Sequence, residues 1–370
     1  MTTSLSPEEI ARYRRHLVLK GFGLEAQQGL KSARVLMIGA GGLGCPTLLY
    51  LAAAGVGHIT IIDPDAVDAS NLQRQVLYGT GDLGRPKAEC AAQRLAALNP
   101  FSQVTPIVDR FRKANALELC RAADVVVDGT DNFAARYLSN DACVLTDRPL
   151  VYGAIHHFEG QASVFNWRGG PTYRCLFPEP PDADSVPNCA QAGVLGVLPG
   201  LIGTIQATET IKLLTGIGTP LSGRLLLWDA LTMETRTLRL KAIPASRLIV
   251  ELPEDAESTC RKVAASPSGD EIAAEQVAAL LRTRAAFHLL DVRDEEERSF
   301  DGGIADSTHL PLGRLRAGER PKGLESGDDI VVFCAAGVRS LRALPLLKAQ
   351  GFTRVRSMAG GMGAWERLAR

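Results

Sequence analysis

The stretch Gly39-Ala40-Gly41-Gly42-Leu43-Gly44 decides the fold of the first part of this chain. The apolar run Arg34–Ile38 precedes it and an Ala- and Leu-rich helical pattern follows it, which is the context in which GxGxxG indicates a nucleotide-binding unit. Glycines let the backbone approach a phosphate, and the helix N-terminus offers free N–H groups. Asp63 closes the next apolar run, His58–Ile62, where a carboxylate can bind a ribose. This much fits NAD as well as ATP.

Strand-like and helix-like segments alternate outward from this motif. Further apolar runs occur at 124–127, 150–152 and 162–165. With helical patterns such as 87–98 between them, they predict a mainly parallel α/β sheet with helices on both faces. The acidic, Pro- and Ser-containing stretch 251–270 is typical of a linker, and a smaller alternation follows it. We therefore predict α/β domains at 1–250 and 271–370.

Composition argues against several classes of protein. The chain has 370 residues, with 41 Lys and Arg against 41 Asp and Glu, so we expect no nucleic acid and no membrane as a partner. The uncharged stretch 190–208 holds Gly, Pro and Gln, which favours a buried helix over a membrane span. The polar segment 1–18 does not resemble a secretory signal. Eight scattered Cys form no disulfide framework, so we expect a cytoplasmic location.

Cations beyond Asp63 favour a triphosphate over a dinucleotide. The loop Ser70-Asn71-Leu72-Gln73-Arg74 is followed by Lys87 at the start of a helix. A site that cleaves a triphosphate needs such cations, because the nucleotide carries much more charge than a dinucleotide. Taken singly, Arg74 and Lys87 are more often solvated surface charges, so the prediction depends on the set.

A second acidic position follows the strand that ends at Asp128. Asp131 and Asn132 lie just past that strand, at the carboxyl edge of the sheet, where folds of this type bind ligands. A carboxylate there can hold a magnesium ion. We therefore expect Asp131 to be a catalytic or Mg²⁺-binding residue.

The strings GAGGLGCP, IIDPD, SNLQRQ, GRPKAE and GTDNFAAR, in this order, closely resemble the E1-like adenylating enzymes. These include ubiquitin-activating enzymes and bacterial activators of ubiquitin-like sulfur carriers in molybdopterin and thiamine synthesis. The resemblance covers about residues 8–240 and implies a Rossmann-like adenylation domain. It implies ATP contacts from Gly39, Gly41, Gly42, Gly44, Asp63 (ribose), Ser70, Asn71 and Arg74 (phosphates), Gln73, Lys87 (pyrophosphate), Asp131 (Mg²⁺) and Asn132.

The same resemblance implies a homodimer. In the family an N-terminal Arg of an RYxR pattern, here Arg15, reaches the phosphates of the partner subunit's site. The assignment depends on aligning Tyr13, because Arg12 and Arg14 lie beside it.

A reactive thiol is predicted in the second domain. The run Ile330–Phe333 leads into Cys334-Ala335-Ala336-Gly337-Val338-Arg339. A Cys at a strand end, in a loop of small residues before a helix, faces N–H dipoles that stabilise an anionic sulfur. Gly337 can take positive φ to turn these amides inward, and Arg339 adds positive charge. A buried structural Cys is the alternative.

This loop resembles the active-site loop of the rhodanese family. Asp291-Val292-Arg293 and 359–365 (AGGMGAW) are the other landmarks, and Gly303 stands where the family often has His. Four residues separate Cys334 from Arg339, one fewer than in phosphatase-like relatives, which suits a persulfide better than a phosphate. The resemblance implies a small α/β rhodanese-like domain in which both residues take part in catalysis.

Other cysteines carry weaker expectations. Many relatives of the first domain bind zinc through two CxxC pairs, but 172–175 contains only Cys175 and 243–249 contains no Cys, so we expect no zinc. In relatives joined to a rhodanese domain, the Cys matching Cys189 takes part in transfer from the activated carrier; a bystander thiol is the alternative. We expect core positions for Cys45, Cys90, Cys120 and Cys143.

Both sites in one chain predict a two-step enzyme. ATP with Mg²⁺ would adenylate the C-terminal glycine of a carrier with a Gly-Gly tail. Cys334 would accept a sulfur atom from thiosulfate or a cysteine desulfurase and become a persulfide. This persulfide would then attack the adenylate, and Cys189 would help to release a thiocarboxylate. The sequence leaves open an inactive docking scaffold, a plain thiosulfate sulfurtransferase and an NAD-dependent oxidoreductase. It does not select the carrier or its pathway.

Overall fold

The structure is a computed structural model that describes residues 4–180, 193–252, 270–283 and 286–368. The chain divides into two compact units, Met1–Thr259 and Cys260–Arg370. Most of the predicted linker 251–270, and Cys189, lie outside the described residues. Within the described ranges, no helix is both long and apolar enough to cross a membrane.

The first unit alternates helices and strands from its start. Its elements are α1 (Pro7–Leu17), α2 (Gly23–Ser32), β1 (Arg34–Ile38), α3 (Gly44–Ala54), β2 (His58–Ile62), α4 (Lys87–Leu98), β3 (Gln103–Ile107), α5 (Lys113–Arg121), β4 (Val125–Asp128), α6 (Phe133–Thr146), β5 (Leu150–His156), β6 (Glu159–Phe165), α7 (Tyr173–Leu176), α8 (Leu198–Thr215), β7 (Arg224–Asp229) and β8 (Thr235–Arg239).

These strands form one eight-stranded sheet in the order β3-β2-β1-β4-β5-β6-β7-β8. The five strands from β3 to β5 are parallel, and β6, β7 and β8 continue the sheet antiparallel. The predicted α/β fold with a mainly parallel sheet is therefore confirmed. The chain moves from β1 outward to β2 and β3 and then returns to β4 on the other side of β1. Folds of this type bind ligands at the carboxyl ends of the strands where this reversal occurs.

Burial explains why β1 and β4 lie at the centre. Four of the five residues of β1 and all four residues of β4 are buried, as expected for parallel strands covered on both faces. Helix α8 packs against α3, and a β-carbon on its Gly203 would lie 2.5 Å from the carbonyl oxygen of Leu43. The hydroxyl of Thr47 donates to the carbonyl of Gly203 at 2.9 Å. The predicted buried helix in the stretch 190–208 begins at Leu198.

The second unit is a smaller parallel α/β structure. Its elements are β9 (Glu271–Ile272), α9 (Ala274–Arg282), β10 (His288–Asp291), α10 (Glu295–Asp301), β11 (Thr308–His309), α11 (Leu312–Arg316), β12 (Asp329–Phe333), α12 (Val338–Ala349), β13 (Arg354–Met358) and α13 (Gly361–Leu368). The strand order is β11-β10-β12-β13-β9, with every pairing parallel. The central strand β12 is buried from Ile330 to Phe333 and leads directly into Cys334.

Candidate active sites

The glycine loop between β1 and α3 folds closely on itself. Gly39 has φ +87° and donates its N–H to the carbonyl of Ile62 at 2.9 Å. A β-carbon on Gly44 would lie 2.2 Å from the carbonyl oxygen of Gly39. Both positions therefore require glycine. The result is a turn that presents backbone N–H groups at the start of α3, which suits a phosphate.

Asp63 fixes this loop from the end of β2. Its two carboxylate oxygens accept N–H groups from Ala40 at 2.7 Å and from Asp65 at 2.8 Å. Burial raises the pKa of Asp63, although these hydrogen bonds favour the charged form. Asp63 thus holds the glycine loop as well as standing at the position predicted to bind ribose.

Lys87 is held beside the same network. Its side chain is only 6% exposed, and its ammonium lies 3.0 Å from a carboxylate oxygen of Asp65. Its backbone N–H donates to the Asp65 carbonyl at 2.9 Å. A nearly buried lysine beside a carboxylate that is itself 63% exposed is a preorganised cation rather than a solvated surface charge.

The loop that carries Arg74 lies over the glycine loop. A β-carbon on Gly42 would lie 3.6 Å from Cγ of Arg74, whose guanidinium donates to the carbonyl of Ser70 at 3.1 Å. Gln75, which the sequence reasoning missed, is buried, and its amide Nε2 lies 3.6 Å from the β-carbon position of Gly41. Its Oε1 has no hydrogen-bond partner within the described residues. Its position after Arg74 was the only available indication.

The other residues of this loop are more open. Ser70 and Gln73 are exposed, whereas Asn71 is half-buried and donates to the Ser70 hydroxyl at 3.2 Å. Gln73 packs against Gly196, where a β-carbon would lie 2.3 Å from its Oε1. Of the residues predicted in this loop, Arg74 contacts the glycine loop at Gly42, whereas Gln73 contacts Gly196.

Asp131 and Asn132 follow β4, the strand next to β1. The loop after β4 touches the glycine loop, because a β-carbon on Gly39 would lie 3.2 Å from the carbonyl oxygen of Gly129. Asn132 caps α6 by accepting the N–H of Ala135 at 2.9 Å. Asp131 is exposed, and its carboxylate is available to a cation. Asn132 therefore has a structural role at the start of α6, and the metal role of Asp131 stays a prediction.

Helix α1 holds the predicted N-terminal arginine away from the core. Tyr13 is buried and its hydroxyl accepts a hydrogen bond from the Asn99 amide at 2.7 Å. Arg15 is exposed on the same helix. The buried Tyr13 fixes the helix register.

In the second unit, Cys334 sits at the bottom of a backbone cradle. Its thiol is nearly fully buried, and Sγ accepts the N–H of Gly337 at 3.1 Å. Gly337 has φ +94°, as expected from the sequence, and immediately precedes α12. The Cys334 carbonyl accepts the N–H of Met362 at 2.8 Å. A β-carbon on Gly361 would lie 2.1 Å from that carbonyl oxygen. The Gly-rich segment therefore packs directly against the backbone of the Cys334 loop, and this position requires glycine.

Arg339 is engaged by carboxylates. Its guanidinium donates to both oxygens of Glu297 at 2.6 Å and to Asp294 at 3.1 Å. Hydrogen bonding to Glu297 raises the pKa of Arg339, and although burial opposes ionisation of Glu297, the bonds from Arg339 lower the pKa of that carboxyl. The expectation that Arg339 adds positive charge beside the sulfur is therefore incomplete, because two carboxylates share that charge.

The Asp-Val-Arg landmark is a buried ion pair. Arg293 and Asp291 are almost fully buried, and the guanidinium donates to the carboxylate at 2.8 and 3.0 Å. Gly303 stands beside this pair, with its β-carbon position 3.6 Å from Arg293. A side chain at position 303 would therefore contact this ion pair.

Within the described residues, the corner where the sequence was searched for zinc ligands contains one thiol, Cys175. Sγ of Cys175 accepts the N–H groups of Thr172 and Ile243, each at 3.3 Å. Burial opposes ionisation of this thiol, but the hydrogen bonds outweigh it and lower its pKa. Across the described ranges no group of three or more His, Cys, Asp and Glu side chains is arranged to hold a metal ion. The residues present here do not fit a tetrahedral zinc site.

The four cysteines expected in the core are buried. Burial raises the pKa of Cys45 to about 12 and also raises the pKa of Cys90 and Cys143. Cys120 is fully buried as well. These thiols are therefore poor nucleophiles.

Comparisons with known proteins match both units. The ThiF family matches residues 13–247, and the rhodanese-like domain matches residues 273–368. A probable adenylyltransferase/sulfurtransferase, MoeZ of Mycobacterium tuberculosis (strain CDC 1551 / Oshkosh), is 46% identical over 98% of this chain and 94% of its own length. The sulfur carrier protein adenylyltransferase of Thermus thermophilus is 50% identical over 68% of this chain and 94% of its own. The structure of E. coli MccB with ATP, 21% identical, shares the fold with a TM-score of 0.54 over 60% of this chain and 68% of that one.

The fold and the two sites define an α/β adenylating enzyme with a sulfur-transfer domain. The chain belongs to the ThiF family, and its second unit is a rhodanese-like domain. It is an adenylyltransferase and sulfurtransferase, as the sequence predicted. Adenylyl transfer in this family uses ATP, so the NAD-dependent oxidoreductase is set aside.

Proposed function

We propose that this chain converts the C-terminal glycine of a ubiquitin-like sulfur carrier into a thiocarboxylate through an acyl-adenylate. One observation carries the adenylation step: the loops after β1, β2 and β4 lie side by side at the carboxyl edge of the sheet. The loop after β1 is the glycine loop, the loop after β2 carries Asp63, which binds the N–H of Ala40, and the loop after β4 carries Asp131. Lys87 pairs with Asp65 close to Asp63. The relative from Thermus thermophilus is named for a sulfur carrier protein, which supports that class of substrate.

In the first step, a carboxylate oxygen of the carrier's terminal glycine attacks the α-phosphorus of ATP, and the bond to pyrophosphate breaks. The N–H groups of Gly41, Gly42 and Gly44 face the phosphates, while Gly39, whose N–H is bonded to the Ile62 carbonyl, forms the turn that lets the loop approach them. Asn71 and Arg74 bind phosphate oxygens, and Lys87 stabilises the leaving pyrophosphate. Asp63 keeps the loop in place and binds the ribose. Asp131 would hold Mg²⁺, which neutralises phosphate charge when bound.

In the second step, the Cys334 thiolate attacks a sulfane sulfur. With thiosulfate as donor, a new S–S bond forms and sulfite leaves with its electron pair; with a cysteine desulfurase, the donor cysteine thiolate leaves. The terminal sulfur of the persulfide then attacks the acyl-adenylate, and AMP departs. A second thiolate, for which Cys189 is the candidate, attacks Cys334 in the acyl disulfide. This forms a Cys189–Cys334 disulfide, releases the thiocarboxylate and leaves the disulfide to be reduced by an external thiol.

The two steps can be tested separately with the small Gly-Gly-tailed proteins of the same cell. We expect carrier-dependent ATP–pyrophosphate exchange, followed by mass shifts for AMP and then sulfur on the carrier. Lys87→Ala should abolish exchange but keep persulfide formation on Cys334. Cys334→Ser should do the reverse. A docking scaffold would show thiocarboxylation that Asp131→Ala leaves unchanged, and a plain thiosulfate sulfurtransferase would show no exchange with any carrier.

We also propose a homodimer in which Arg15 completes the partner's nucleotide site. Arg15→Ala and Lys87→Ala should each be inactive in exchange. After mixing and subunit exchange, heterodimers contain one site with an intact Lys87 and an Arg15 from the other subunit, so activity should return in part. No recovery, with dimers present in sedimentation, would contradict action across the interface.

Two further parts of the proposal rest on the residues present. We propose domains at 1–250 and 271–370 with a linker between, and a zinc-free corner at Cys175. Metal analysis of the purified chain should find far less than one zinc per chain, because a single thiol cannot supply four ligands. A full equivalent of zinc would contradict this.

A further inference from the structure

Two buried serine hydroxyls meet at the sulfur of Cys334. Ser340 lies in the first turn of α12 and Ser357 near the end of β13, and both are fully buried. The Ser340 hydroxyl lies 3.6 Å from Sγ of Cys334, 2.8 Å from the carbonyl oxygen of Gly337 and 2.8 Å from the Ser357 hydroxyl. The Ser357 hydroxyl in turn lies 3.5 Å from the same Gly337 carbonyl. Cysteine, glycine and both serines thus form one cluster, in which the Gly337 carbonyl also accepts the N–H of Leu341 at 3.2 Å.

The hydrogen bonds of this cluster can rearrange when Cys334 loses its proton. When Cys334 is a thiol, its S–H can donate to Ser340, while the Ser340 hydroxyl donates to the Gly337 carbonyl. When Cys334 is a thiolate, its sulfur is only an acceptor. The Ser340 hydroxyl can then turn to the sulfur, and the Ser357 hydroxyl is within reach of the carbonyl that Ser340 leaves. Every buried polar group keeps a partner in both states.

The same cluster includes Gly337, the residue whose N–H binds the sulfur. Gly337 donates its N–H to Sγ at 3.1 Å and offers its carbonyl to the two hydroxyls. Its φ of +94° turns the N–H inward. The hydroxyls therefore contact the sulfur directly through Ser340 and are joined to it a second time through Gly337.

We propose that Ser340 donates a hydrogen bond to the anionic sulfur of Cys334, and that Ser357 is the positioning residue that frees Ser340 to do so. This inference rests on the proposed persulfide chemistry at Cys334. Hydrogen bonds to an anion are stronger than those to a neutral group, so the pair favours the thiolate that attacks the donor. A purely structural role would leave the ionisation of Cys334 unchanged.

The test follows the ionisation of Cys334 in the full-length chain. The rate of alkylation by iodoacetamide is measured against pH on the Cys334 peptide by mass spectrometry. We expect Ser340→Ala to raise the midpoint by about one pH unit, since a hydrogen bond to a charged group is of that order. Ser357→Ala should raise it by about half as much. Ser307→Ala is the matched control, because Ser307 is also buried in this unit but hydrogen-bonds Arg298 instead.

The outcomes separate this inference from the proposed function. Unshifted midpoints in both Ser340→Ala and Ser357→Ala, with the wild type forming a persulfide from thiosulfate, would overturn the inference alone. Failure of the wild type to form a Cys334 persulfide with either thiosulfate or a cysteine desulfurase would overturn the proposed function instead. If Ser340→Ala does not fold, the midpoint of Ser357→Ala decides. An equal shift in Ser307→Ala would show a general packing effect and would also overturn the inference.

Discussion

The closest approach in the glycine loop provides a sharp test of the nucleotide site. A β-carbon on Gly44 would lie 2.2 Å from the Gly39 carbonyl oxygen, whereas β-carbons essentially never come within 3.0 Å of such an atom. Gly44→Ala must therefore move the loop or the start of α3 by about 0.8 Å, because the obstacle is backbone and cannot rotate away. A misplacement of about 1 Å near the reacting atoms can lower a rate about 100-fold.

We expect carrier-dependent ATP–pyrophosphate exchange by Gly44→Ala to fall by about 100-fold. Gly81→Ala is the matched control, because nothing lies within 4 Å of its β-carbon position and its φ is not in the left-handed region. Sulfur transfer from thiosulfate to cyanide, which needs only the second unit, should stay at the wild-type rate. Exchange by Gly44→Ala close to the wild-type rate would refute the reasoning, since the loop would then have absorbed the clash.

Three further predictions concern other contacts. Gly361→Ala places a β-carbon 2.1 Å from the Cys334 carbonyl, so thiosulfate sulfurtransferase activity should fall by at least about tenfold while ATP–pyrophosphate exchange persists. Arg174→Met removes the partner of the buried Asp141 carboxylate, so the free energy of unfolding measured in urea should fall by about 3 kcal/mol; an unchanged value would contradict this. The hydrogen bonds from Arg339 lower the pKa of Glu297, so they stabilise the folded state at any pH above the pKa that Glu297 has in the unfolded chain. This stabilisation is lost as the pH falls through the pKa of Glu297 in the folded state. Glu297→Gln should therefore flatten the acidic limb of melting temperature against pH, and an unaltered limb would count against the pair.

The sequence was sufficient for features that depend on local pattern. The apolar runs and the glycine spacing predicted the central strands, and the rule that ligands bind at carboxyl strand ends placed Asp63 and Asp131 at one edge. The positive φ of Gly337 was also predictable, because a loop that turns its amides toward a strand-end Cys needs it. In each case the deciding information lies within a few residues.

Contacts between distant segments could not be predicted in this way. Glu297 precedes Arg339 by 42 residues, and nothing in the Cys334 loop indicates that a carboxylate will share the arginine's charge. Likewise, Asp63 already accepts two backbone N–H groups, which depends on how the loop after β2 returns to the glycine loop. These partners are set by tertiary packing, so they change the expected role of a residue without any trace in its local pattern.

The corner around Cys175 is closed by contacts between distant segments. The sequence indicated only that the thiolates needed for zinc are missing, not what closes the corner. In the structure, Arg174 makes a bidentate ion pair with the buried Asp141 of α6, at 2.7 and 2.8 Å. Sγ of Cys175 ties the segment to Ile243, 68 residues away. The N–H groups of Thr172 and Ile243 that bind this sulfur join two distant segments, a contact that the local sequence around Cys175 does not reveal.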